Sequence, residues 1–269
     1  MKRDKEFVLK NLKNLHTKLG RRPVKRDYSN LYFLSRKYFG SWNNLMKEAG
    51  YSVKEFQNPD IPDITSRDFY YFLGLLCTDG HIQFIKNKWQ YKLIIFTSYD
   101  EEKEIILRLI QELFNYKASV RSKIYGFSKK PNYEIYISSK KICKFFNDLG
   151  VPYGNKSLNL KVPKIIFNLD NIKLWSFIRG VFDGDGSIIF SKSIQTFKIS
   201  SGSQGFIEDL NVLLAKSGIG FIRVIHEREN VWELKVGRTK ELQKIYSLMY
   251  KDAYFYYPRK RLKWEQRYF

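Results

Sequence analysis

Two aspartates, Asp79 and Asp185, are the residues of this sequence best placed to do chemistry. Each closes an apolar run and precedes a glycine: "FLGLLCTDG" over 72–80 and "IRGVFDGDG" over 178–186. The spacing of apolar residues predicts a helix in each run, so each acid falls in a last turn or just beyond it. That end of a helix carries the negative part of the macrodipole and disfavours a carboxylate. A divalent cation between two such acids reverses the sign of that energy. Mg2+ accepts one or two carboxylates and fills its other positions with water and phosphate oxygens. The chemistry in view is a metal site completed by a phosphodiester. An EF-hand is excluded, because counting from Asp183 puts Ile188 sixth and Ile194 twelfth, neither of them usable.

The elements that position these acids are an internal repeat. "FYYFLGLLCTDGHIQF" and "WSFIRGVFDGDGSIIF" align at an offset of 106 (185 − 79), pairing Gly74 with Gly180, Asp79 with Asp185 and Gly80 with Gly186. After each copy the pattern predicts two strands, an amphipathic helix, two more strands and a closing helix. The chain thus reads as α+β, with two pseudo-symmetric αββαββα halves. Gly74 and Thr78 are four apart, as are Gly180 and Gly184, and small residues at that spacing let two helix backbones approach. The two motif helices are expected to pack at a pseudo-twofold axis and bring their acids together. Gly80 and Gly186 suit the left-handed position that follows a helix. With its symmetry internal, the chain is expected to be a monomer.

Composition agrees with a polyanionic partner. The 269 residues carry a formal net charge of +21, with 48 Lys and Arg against 27 Asp and Glu. A charge this large points to nucleic acid. No apolar run of 18 residues or signal peptide is present, so no membrane role is expected. Cys77 and Cys143 lie in apolar segments without CxxC spacing and read as buried thiols of a reducing, intracellular compartment. The chain divides into a helical block (1–57), a Pro-containing linker (58–67) and the two halves (68–165 and 166–269). The block's helices follow Val8, Leu12, Leu15 and Leu19, then "LYFLSRKYFG", then "SWNNLMKEAG", where Ser41 caps and Gly50 terminates.

Residues 68–269, through their two motifs, resemble a monomeric LAGLIDADG homing endonuclease. The resemblance implies a saddle of antiparallel sheets that binds double-stranded DNA and cuts both strands at a long site, leaving a staggered break. Its eighth motif position, the metal-binding acid, falls on Asp79 and Asp185, with Gly80 and Gly186 adjoining and Mg2+ or Mn2+ as cofactor. Its sixth position is Asp183 in the second copy and Cys77 in the first. A basic residue follows the last helix of each half: Lys156 in "YGNKS", and Lys260 with Arg259 in "YPRKR". Such a lysine stabilises the charge of the reacting phosphate or polarises the attacking water. Ser98 and Ser201 are further candidates to position water.

Strand alternation then selects side chains for the DNA face: Gln83, Lys92, Arg121, Lys123, Tyr125, Lys198, Arg223, Glu233 and Lys235. Residues 1–57 resemble the homing endonuclease associated repeat, through "LGRRPVKRD" and "YFGSWNNLMKEAG". There Arg21, Arg22, Arg26, Arg36 and Lys37 are candidate phosphate contacts. Two other readings are an RNA maturase acting on intron RNA and a non-catalytic DNA-binding regulator. Retention of both acids disfavours the regulator. A chain opening on Met1 and ending "RYF" is not expected to be an intein. The expected location is the cytoplasm or nucleoid of a prokaryote, or an organelle matrix.

Overall fold

The computed structural model of the protein describes residues 3–53, 57–124, 131–191 and 195–268. Tyr125 lies outside the described residues. Contacts divide the chain into two compact units, 1–56 and 57–269.

The first unit is three helices: α1 (Lys5–Leu19), α2 (Ser29–Phe39) and α3 (Trp42–Glu48). Asp4 caps α1 by accepting from the Phe7 amide, and Gly20 ends it at φ 62°, in the left-handed region that suits glycine. Ser41 caps α3 through the Asn44 amide. Val8, Leu12, Leu31, Trp42, Leu45 and Met46 form its own core.

The second unit contains the two halves. The first runs α4 (Arg67–Cys77), β1 (Gly80–Ile85), β2 (Gln90–Thr97), α5 (Asp100–Phe114), β3 (Ser119–Lys123), β4 (Asn132–Ile137) and α6 (Lys140–Asp148). The second runs α7 (Asn171–Asp185), β5 (Gly186–Phe190), β6 (Gln195–Ser201), α8 (Gln204–Lys216), β7 (Ile222–Arg228), β8 (Val231–Val236) and α9 (Thr239–Tyr250). Each half forms a four-stranded antiparallel sheet with the same order, β1-β2-β4-β3 and β5-β6-β8-β7. This is the α+β duplication that the repeat requires. One element goes beyond it: α10 (Pro258–Tyr268) has no counterpart in the first half. Among the described residues, no helix is long and apolar enough to cross a membrane.

Helices α4 and α7 are apolar on almost every face because each is covered all round. Phe69, Phe72, Leu73, Leu75 and Leu76 on one, and Phe177, Val181 and Phe182 on the other, are fully buried. Each such side chain contributes roughly 1.5–3 kcal/mol through burial. The two helices touch through backbone. A Cβ on Gly74 would lie 2.3 Å from the Phe177 carbonyl oxygen, and one on Gly180 would lie 2.1 Å from that of Tyr71. One turn on, a Cβ on Gly184 would meet the Thr78 hydroxyl at 2.0 Å. Only glycine fits at these positions.

Candidate active site

The touching helices end side by side, so Asp79 and Asp185 line one cleft of about 520 Å³ with Thr78, His81, Lys156 and Ser201. Asp79 is half-buried, and Asp185 is open to the cleft yet ringed by protein. Burial, and then the charge of Asp185, pushes the Asp79 carboxyl up to about 7. Burial likewise raises Asp185, against the pull of Lys156 and Lys260. Two acids held this way resist ionisation, as expected of a site built to receive a positive charge.

The unfavourable helix ends are answered by the two lysines. Lys156 Nζ donates to the carbonyls of Leu76 (2.6 Å) and Thr78 (2.8 Å) in the last turn of α4. Lys260 Nζ, on α10, donates to Phe182 (2.7 Å), Gly184 (2.9 Å) and Gly186 (2.8 Å). An ammonium has three donors, so Lys260 is saturated by backbone while Lys156 keeps one N–H. Burial lowers each lysine to about 8.

Gly80 and Gly186 differ from expectation. Neither is left-handed; each begins a strand, and Gly186 has φ −83° and ψ 158°. Glycine is needed there for close approach. A Cβ on Gly80 would lie 2.5 Å from Leu76 Cα, and one on Gly186 would lie 2.6 Å from Phe182 Cα. The chain turns straight from helix into strand, leaving no space for a side chain.

The sixth motif position is buried in both halves. Asp183 Oδ2 accepts from the Tyr71 hydroxyl (2.8 Å) and the Tyr257 amide (2.8 Å), and burial raises its carboxyl to about 6. Cys77 is buried among apolar groups, which pushes its thiol up to about 12.

The nucleic-acid candidates divide by environment. Register aligns Ser187, Lys198, Lys235 and Arg223 in one row across the second sheet, on the face opposite Phe197, Ile199 and Leu234. Glu233 in the adjoining row is nearly buried and pairs with Lys198 (2.7 Å) and Lys235 (2.6 Å), so it offsets one of their two positive charges. In the first sheet Arg121 (3.4 Å) and Lys123 (3.1 Å) flank Glu134. Lys92 packs over the Tyr136 ring, opposite Gln83. Arg223 is exposed. In the first unit Arg21 is held by Asp27 (2.8 Å), while Arg22, Arg26, Arg36 and Lys37 are exposed.

Sequence reasoning missed His81 and Glu102. Alternation along β1 puts His81 on the face of Gln83, a signal that was available. Glu102 is buried, accepts from the Thr97 hydroxyl (2.6 Å) and pairs with Arg259 (2.6 Å). That contact between halves carries no local mark in the sequence.

Comparison with known proteins agrees with this architecture. Residues 174–249 match the LAGLIDADG-like domain model and residues 3–52 the homing endonuclease associated repeat model. The chain is 31% identical over 160 residues to the replication factor C small subunit of Methanocaldococcus jannaschii, a match covering 59% of this chain and 8% of that protein. It therefore spans less than a tenth of that relative's length. Among solved structures, I-DmoI in complex with DNA and Ca superposes with a TM-score of 0.54 at 19% identity, covering 76% of this chain and all of that one. The homing endonuclease I-WcaI bound to its DNA recognition sequence gives 0.52 at 14% identity, covering 74% and 85%. The doubled motif, the paired sheets and both family matches agree: residues 174–249 match a LAGLIDADG-like domain, residues 3–52 a homing endonuclease associated repeat, and the fold is similar to that of solved homing endonucleases.

Proposed function

We propose that this protein is a divalent-metal-dependent endonuclease that makes a staggered double-strand break at a long, specific DNA site. The observation that carries this reading is the pair of carboxylates, Asp79 and Asp185, that line one cleft at the ends of two touching helices. Among the described residues no third His, Cys, Asp or Glu joins them in a metal-binding group. That donor set fits Mg2+ or Mn2+, whose remaining ligands are water and phosphate oxygens. When bound, the metal supplies Lewis-acid stabilisation of the reacting phosphate and an acidified water.

The chain's own residues prepare that chemistry. Asp79 and Asp185 supply the negative charge that holds the cation, and the Gly74–Gly180 contact fixes their separation. Lys156, with one uncommitted N–H in the cleft, is placed to donate to a phosphate oxygen as negative charge develops. The basic rows of the two sheets orient the duplex over the cleft, and the exposed arginines of the N-terminal unit add phosphate contacts outside it.

The test is a cleavage selection on a randomised duplex library, run in Mg2+, in Mn2+ and in EDTA. Recovery of one long site, cut on both strands only with metal, supports the reading. Specific binding with no cleavage in any metal would replace it with a DNA-binding regulator.

A further inference from the structure

We infer that Phe221 is a specificity contact to DNA: its ring meets the C5-methyl group of a thymine in the major groove, on the outer flank of the second half-site. The inference rests on the DNA-cutting reading above, but its test reads affinity and scores cleavage separately.

Phe221 is 56% exposed and has φ 54°, in the left-handed region that a bulky residue rarely adopts. That backbone costs stability, and an exposed ring returns little of it; strain of this kind gathers where a structure serves binding. The loop ahead of the ring is fixed. Lys244 Nζ donates to the Gly218 carbonyl (2.7 Å), Ile219 is buried in the core, and the Gly220 amide donates to Glu241 (3.0 Å). With Ile219 in the apolar slot two residues earlier, the Phe221 ring is left outside on a rigid base, which lowers the ordering cost of binding. The Arg238 guanidinium stacks on it, its carbon 3.1 Å from the ring centroid. Trp89 is the other aromatic in left-handed backbone, but it packs against Phe84, which alternation puts on the face away from Gln83.

Position supplies the partner. The ring borders a hollow of about 620 Å³ together with Thr196, Arg223 and Arg238. Arg223 belongs to the basic row of Lys198 and Lys235, and alternation puts Thr196 on the same face. The lining holds two arginines and no acid, and the nearby Glu241 is bonded to the Gly220 amide. Ile222 pairs with Val236, and Val236 with Phe197, so Phe221 stands level with the start of β6. From Ser201 in the acid cleft to Gln195 at that start is about 20 Å of strand, or roughly six base-pair steps. A duplex lying along the basic row therefore passes over the ring. Its base faces stay stacked and only their edges show, and the apolar group on a major-groove edge is the thymine methyl. The two exposed arginines beside the ring suit the flanking phosphates.

The test is a cycle between the ring and the methyl. A duplex recovered by binding selection from a randomised library is measured with the full chain in Ca2+, each thymine in turn replaced by deoxyuridine, which lacks only the methyl. For wild type, replacing one thymine about six base pairs from the centre of the site should weaken affinity about fourfold. Phe221→Gly suits the left-handed backbone, so its Tm should be no lower than that of wild type. It should bind the unmodified duplex at least about fourfold more weakly and lose its sensitivity to that uracil. Unchanged affinity in Phe221→Gly, no uracil whose effect depends on Phe221, or no duplex binding at all would each overturn the inference. A fall in Tm with the uracil penalty intact would make the ring a structural cover and overturn it too. Cleavage of the same duplex in Mg2+ is scored apart. Uracil sensitivity without cleavage removes the nuclease reading alone, and cleavage without uracil sensitivity removes the methyl contact alone.

Discussion

In the second half the motif helix carries Asp183, a fully buried carboxylate held by Tyr71 from the first half and by the backbone amide of Tyr257. In the first half the equivalent residue is Cys77, buried among apolar groups and needing no partner. The difference extends outward. Lys260 is carried on a dedicated helix, α10, whose Trp264 is fully buried, and all three of its donors are used on backbone. Lys156 sits in a loop, bonds two carbonyls and lines the open cleft. One half supports its acid with a buried polar network, the other with apolar packing and a lysine that still has a donor to give. Duplicated topology therefore fixes where the acids stand, while the groups behind them are free to diverge.

The largest expected effect tests whether the acids are equivalent despite their different supports. Asp79→Asn and Asp185→Asn should each lower double-strand cleavage by roughly 10²–10³-fold, with DNA affinity largely retained. Strand-specific cleavage of an end-labelled duplex checks this, and full activity in either variant would remove the two-acid site.

Next comes the buried position. Asp183→Ala strands the Tyr71 hydroxyl, the Tyr257 amide and the nearby Arg179, and should cost about 3–5 kcal/mol in denaturant unfolding. Cys77→Ala removes only a small apolar group and should cost about 1 kcal/mol. Equal losses would mean the halves are supported alike. The lysines sharpen the same contrast. Lys260→Met should cost about 1–3 kcal/mol by leaving three carbonyls uncapped. Lys156→Met frees only two carbonyls, on the rim of the open cleft, so it should cost less than Lys260→Met while lowering cleavage.

The smallest effect is in pH dependence. Folding raises Asp79 to about 7, so the native state favours its protonated form. The stability linked to this group is complete below about pH 4 and is lost as pH rises through about 7. Asp79→Asn removes that loss. Its Tm should exceed wild type by about 2–4 °C at pH 8 and converge with it at pH 4. Calorimetry at the two pH values decides, and a variant less stable at pH 8 would refute the repulsion. By the same ionisation, cleavage in Mg2+ should rise as pH passes about 7.

Much of this protein was legible in its sequence because the informative signals are local and repeated. Apolar periodicity marks α4 and α7, strand alternation marks both sheets, and the 106-residue offset places two acids at two helix ends. The glycines of the helix pair were readable as a spacing. Gly80 and Gly186 were assigned the wrong conformation, because close approach and left-handed backbone leave the same mark in sequence, a glycine. The rest was decided by groups distant in the chain. Nothing near Glu233 says that Lys198 from the neighbouring strand will pair with it, and nothing near Phe182 says that Lys260 will spend every donor on that turn. Helix α10 lies outside the repeat and had no sequence reading; only packing gives that helix its purpose. Sequence determined the elements and their symmetry, since propensity and periodicity act over a few residues. Tertiary structure decided which charges are paired, buried or left with a donor to offer, since desolvation and hydrogen bonding depend on partners that only folding brings together.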